Sequence, residues 1–145
     1  MLLVLLVVGT ASPAFINVHK KLTGYTESDY TALVNILSYA DAIFITPNTL
    51  TETSNLSDYI REPARSTIRT VLKNIINTNH DDYIPSIDAT RNNYFKRLGL
   101  TDSVSLIHAA NTHSTILTAD LSLYLAALET GIKAINFNHI RDSYL

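Results

Sequence analysis

Three carboxylates, Glu52, Asp102 and Asp120, stand where an acid could do chemistry. Asp120 comes one residue after the run Ser114-Thr-Ile-Leu-Thr118, at the carboxyl end of a predicted strand, where parallel α/β sheets place their ligands. Asp102 falls in the first turn of a helix that opens after Leu98-Gly-Leu-Thr101. Glu52 lies in the first half of a helix opened by Thr46-Pro47, and Asn55 is three residues on, on the same face. Clustered carboxylates are hard oxygen donors, suited to divalent cations that activate water and neutralise charge growing on a phosphate. Each acid also has a plainer use. An acid in a helix first turn offsets the macrodipole by about 0.3–1 kcal/mol, and Thr49-x-x-Glu52 has the spacing of a capping box. Singly, capping is the better account of each; the case for chemistry is their joint placement.

The elements that must carry these residues follow from periodicity and caps. Tyr30, Leu33, Val34, Leu37 and Ala40 follow helical spacing over Thr26–Tyr39, with Thr26 or Ser28 as N-cap. Ala42-Ile-Phe-Ile-Thr46 reads as a buried strand, and Thr46 with Pro47 at the first helical position starts a helix running to about Tyr59. After an interruption at Arg61–Pro63, a helix is predicted over Ala64–Asn77, a polar turn over Asn77–Ser86, and a helix over Ile87–Leu98 ended by Gly99. Thr101 caps a helix to about Asn111. The strand Ser114–Thr118, a helix Asp120–Glu129 and a strand Ile132–Asn136 complete the chain. Strands alternating with helices predict a parallel sheet with right-handed crossovers, and no linker or repeat divides residues 1–145, so a single domain is expected.

Composition narrows the class. The chain has 145 residues, 46% of them hydrophobic and 17% charged, which excludes disorder and implies a filled core. Without cysteine there are no disulfides, thiolate zinc sites or cysteine nucleophile, and a cytoplasmic setting is expected. The net charge of −2 gives no bulk attraction to nucleic acid. A local patch is the alternative: Arg65, Arg69 and Lys73 repeat every four residues along one helix ridge, and Arg61, Arg91, Lys96 and Arg97 could join them in tracking a phosphate backbone. A solvated helix face explains the same ridge. His19, His80, His108, His113 and His139 show no metal-ligand spacing and read as structural or surface residues. Four glycines leave no phosphate loop or dinucleotide fingerprint, and no serine sits in a nucleophile elbow.

The apolar run Leu2–Val8 is far too short to span a membrane, which needs about 20 residues. A signal peptide, with the small secreted binding domain it would imply, fits its length, but no Lys or Arg precedes the run. A buried element is expected there.

In order, Phe44-Ile-Thr-Pro-Asn-Thr-Leu-Thr-Glu52-Thr-Ser-Asn55, Leu98-Gly-Leu-Thr-Asp102-Ser, Ile116-Leu-Thr-Ala-Asp120-Leu and Ala134-Ile-Asn-Phe137 resemble the PIN domain family of small metal-dependent nucleases, many of them toxins or RNA-processing enzymes. The resemblance runs from Leu2 to about Arg141. It implies a PIN-like three-layer α/β/α fold with a central parallel sheet of roughly four to five strands. It also implies Mg2+ or Mn2+ as cofactor, RNA as substrate, and room for a protein inhibitor or a homodimer, with no membrane attachment. Carried over residue by residue, Asp120 and Asp102 match metal-ligand positions, Glu52 the acid that positions or deprotonates the attacking water, and Thr118 the small supporting position, with Asn55 beside Glu52.

The sequence departs from the family at its start. Met1-Leu-Leu-Val-Leu-Leu-Val-Val-Gly9 resembles the family's first apolar helix, and the strand and Asp that precede it in the family have no counterpart. A start codon placed too late, or a real truncation, would produce this pattern. The expectation is then of a ribonuclease with weakened or lost activity. The alternative is a catalytically degenerate PIN-like module that binds RNA or protein.

Overall fold

A computed structural model describes residues 1–142. Within them, regular structure consists of nine α-helices, one 3-10 helix and two three-residue strands. The three-layer α/β/α architecture with a central parallel sheet is therefore corrected: the chain is mainly helical, and its sheet is two strands wide.

The chain packs as two compact units, one formed by Met1–Ile45 with Thr49–His80, the other by Thr46–Asn48 with the residues from Asp81 onward.

In the first unit, α1 (Leu2–Ala11) is apolar on every side, so it must be wrapped to be stable. Val4, Leu5, Val7, Val8 and Gly9 are buried, and the expectation of a buried element at Leu2–Val8 holds. A 3-10 helix follows at Pro13–Asn17. Helix α2 (Glu27–Leu37) begins on a complete capping box: Asp29 N–H donates to Thr26 Oγ1 at 3.3 Å, and Thr26 N–H donates to Asp29 Oδ2 at 2.9 Å. Helix α3 (Pro47–Ser57) starts at the proline, as its start signal predicts. Helix α4 (Ala64–Thr78) buries Ala64, Ile68 and Leu72, a stripe at fourfold spacing, and turns Arg65, Arg69 and Lys73 outward. Helices α2 and α4 and the 3-10 helix all pack against α1.

The expected strand Ala42–Thr46 does not form. Its residues carry the right local signal, yet a strand exists only through a partner, and apolar β-branched runs of this length specify extended backbone without specifying a ladder. Ile43 and Phe44 are 49% and 48% exposed, so the run is not a buried core strand. The Ile45 carbonyl accepts from the Asn79 side-chain amide at 3.0 Å.

In the second unit the predicted helix Ile87–Leu98 divides into α5 (Ser86–Thr90) and α6 (Phe95–Leu98). Asn92 Oδ1 accepts from Tyr94 N–H at 2.9 Å, an asparagine turn that competes with helical bonding. Gly99, at φ +83°, ends α6 in a conformation that costs a side-chain-bearing residue steric strain, and α7 (Leu100–Thr112) starts at once. His113 closes α7 in the left-handed region, and β1 (Ile116–Thr118) follows. Helix α8 (Leu121–Glu129) crosses to β2 (Ala134–Asn136), and α9 (Phe137–Arg141) follows directly. The strands pair in parallel, Ile116 with Ala134, Leu117 with Ile135 and Thr118 with Asn136. Leu106 and Ala109 of α7, Ile116, and Leu123, Ala126 and Ala127 of α8 form one buried cluster with Ile132 and Ala134 against it. Tyr94 clamps this core from outside, its hydroxyl donating to Glu129 Oε2 at 2.7 Å. That bond favours the neutral phenol and raises its pKa.

Gly9 supplies a test of the first unit. In a helix interior Gly→Ala normally gains about 1 kcal/mol. Here a Cβ would stand 2.6 Å from Tyr30 Cγ, well inside van der Waals contact, and the ring is tied by its hydroxyl to Thr10 Oγ1 at 3.1 Å. Overpacking typically costs about 1–3 kcal/mol, so the sign reverses. G9A is expected to lower the thermal midpoint; a midpoint at or above wild type would show that the ring gives way freely.

Candidate functional site

The second unit contributes two of the three acids. Asp120 is the N-cap of α8: its Oδ1 accepts from Leu123 N–H at 3.0 Å, with the residue at φ −92° and ψ 117°. The side chain stands exposed at the carboxyl end of β1. Thr118 is buried, and its Oγ1 accepts from Asp120 N–H at 3.0 Å. Asp102 occupies the first turn of α7, as its spacing predicts, and is half-buried.

Glu52 and Asn55 belong to the first unit, both exposed on α3. Within neither unit do three or more acids or histidines among the described residues gather closely enough to hold a metal ion. Asp102 and Asp120 nonetheless supply oxygen donors of the right kind. Mg2+ commonly takes only one or two carboxylates, with water and substrate phosphate completing its shell. The donor chemistry suits such a shared cation and does not suit an all-protein cage.

The basic ridge is partly committed within the first unit. Arg69 makes a bidentate pair with Asp58, Nε to Oδ1 at 2.9 Å and Nη2 to Oδ2 at 2.7 Å. Arg65 Nε donates to the Ile60 carbonyl at 3.1 Å and lies 3.9 Å from Glu62 Oε1. Lys73 is exposed. Two of the three expected phosphate contacts thus secure the chain around Tyr59–Pro63 to α4. The Arg69 hydrogen bond is the largest influence on the Asp58 carboxyl; it outweighs the opposing effect of burial and, with the charges of Arg69 and Arg65, holds the group below its usual range.

Two histidines have structural uses. His19 is buried, with Nε2 donating to the Ser57 carbonyl at 3.1 Å and Nδ1 accepting from Lys21 N–H at 3.2 Å. His108, also buried, is bonded through Nε2 to Asp82 Oδ2 at 3.0 Å.

Asn136 and Asn138 escaped the sequence reading. Asn136 Oδ1 accepts from Asn138 N–H at 2.9 Å, and Asn138 Nδ2 donates to the Ala119 carbonyl at 3.1 Å, beside Asp120. The signal was present in Asn136-Phe-Asn138, since asparagines at a strand end favour side-chain-closed turns.

No protein-family model matches the chain, and neither a curated protein nor a solved structure does. The PIN resemblance accordingly rests on its four sequence motifs.

The Asp58–Arg69 pair gives a pH test. A carboxyl whose folded pKa is depressed adds stability that is present above its unfolded pKa, near 3.9, and is lost as pH falls through the folded value. The stability difference between wild type and R69A is expected to be constant from about pH 5 to 8 and to shrink below about pH 4. Both side chains are substantially exposed, so added salt should shrink it too. A difference that grows on acidification in denaturant titrations would contradict this.

Proposed function

We propose that the chain is a PIN-related, divalent-cation-dependent ribonuclease centred on Asp120. The observation that carries this is the placement of an exposed Asp120 carboxylate at the carboxyl end of β1, its backbone N–H bonded to Thr118. A bound Mg2+ or Mn2+ would supply charge neutralisation at the phosphate and an acidified water. Asp120 would hold that cation, with Asp102 as a direct or water-mediated second ligand. Glu52 is given the water-positioning role by the resemblance alone. Lys73 and the outward face of α4 would offer positive charge to RNA, with Arg65 and Arg69 contributing less because of their intramolecular bonds.

One observation favours a second reading, a catalytically degenerate module that binds RNA or protein. Within neither unit do three metal-binding side chains gather among the described residues.

Asp120→Asn separates chemistry from stability. Asn caps helices about as well as Asp, so the α8 cap survives while the formal charge is removed. Cleavage of RNA in Mg2+ or Mn2+ is expected, reduced at least about a hundredfold by D120N with at most a small fall in thermal midpoint from the lost charge–dipole attraction; that factor corresponds to about 3 kcal/mol of transition-state stabilisation. Cleavage that survives D120N or chelation would rule the assignment out. RNA binding without any cleavage would favour the degenerate module.

A further inference from the structure

We propose that Asn138 is a positioning residue for the Asp120 carboxylate, an assignment that rests on Asp120 acting as a cation ligand. The peptide between Ala119 and Asp120 is bonded at both ends: its N–H donates to Thr118 Oγ1 at 3.0 Å, and its C=O accepts from Asn138 Nδ2 at 3.1 Å. A peptide unit is planar, so fixing both its N–H and its C=O fixes its orientation. That orientation sets the direction in which Asp120 leaves the backbone, and the bond from Leu123 N–H to Oδ1 fixes the carboxylate itself.

The bonds from Thr118 and Leu123 are local, as any strand end and helix cap can be. The bond from Asn138 comes from a residue nineteen positions away, in the first turn of α9, just after the other strand. Its source is itself anchored. Phe137 is fully buried, Asn136 is buried and pairs in register with Thr118, and Asn136 Oδ1 accepts from Asn138 N–H at 2.9 Å. An N-cap needs only the Leu123 bond. A carboxylate exposed to solvent gets little guidance from packing, so a long-range bond to its own peptide serves to hold it in one place. Groups that orient a metal ligand from behind typically change metal affinity or activity by roughly 10- to 100-fold when removed.

The test uses the full chain and Mn2+ alone, with binding followed by water-proton relaxation and folding by thermal unfolding. Wild type is expected to bind, D120N to lose binding, and N138A to weaken it roughly tenfold or more with little change in midpoint. N138Q, which keeps an amide donor, should recover part of the loss. Faster amide exchange at Leu123 in N138A would report the loosened carboxylate independently of metal. Should N138A fail to fold, N138S, whose hydroxyl is too short to reach Ala119, is read in the same way. Unchanged Mn2+ affinity in a folded N138 variant, with D120N still inactive in binding, overturns the positioning role and leaves Asp120 as a ligand. Equal behaviour of wild type and D120N removes Asp120 as a ligand, and the role of Asn138 falls with it.

Discussion

Three residues of parallel pairing set the geometry of the second unit. Ile116–Thr118 lies against Ala134–Asn136, and because side chains alternate along a strand, this register gives every position its face. Ile116 and Ala134 join the apolar cluster with Leu123, Ala126 and Ala127, while Thr118 and Asn136 end the pair as neighbours. A slip of one residue would carry Leu117 to the buried side and part Thr118 from Asn136. So short a parallel ladder is weak by itself. It is held by burial against α7 and α8, and hydrophobic packing thereby determines where the polar groups at the carboxyl end stand.

The first unit solves a different problem. Helix α1 has no polar face, so it contributes stability only if its neighbours cover it, and α2, α4 and the 3-10 helix do so. Close coverage demands small residues where rings meet the helix, and Gly9 under Tyr30 is that place. The polar side of this arrangement is secured by the buried His19 and by the Asp58–Arg69 pair. The cations that sequence spacing aligned on α4 are therefore partly structural, because an outward ridge on an amphipathic helix is also where its connections to the preceding loop must be made.

Helices were legible where caps and periodicity agreed: Thr26 as a candidate N-cap of α2, Pro47 opening α3, and the range of α4 each follow from local rules. Breaks were harder, since the bond from Tyr94 N–H to Asn92 interrupts what reads as one helix over Ile87–Leu98. Strands were least legible. Ala42–Thr46 and Ser114–Thr118 carry nearly the same signal, yet only the second finds a partner, and pairing depends on distant chain that a local pattern does not contain. At the site, Asp120 was visible because it comes at the end of a predicted strand, whereas Thr118 entered only through the resemblance. Asn138 was not, because its importance lies in the carbonyl it reaches.

At Asp120 the cap and the proposed cation binding do not compete. The cap engages Oδ1, and a negative charge at the start of α8 is favoured by the helix dipole whether or not a cation is present. Capping accounts for an acid or an amide at this position equally well. It does not account for the Asn138 bond, which spans two turns and fixes the preceding peptide without adding to the cap. What distinguishes this end of the unit is therefore not the acid alone. Two chain segments are bonded so that the acid emerges in one direction, and the pairing of Thr118 with Asn136 brings those segments together.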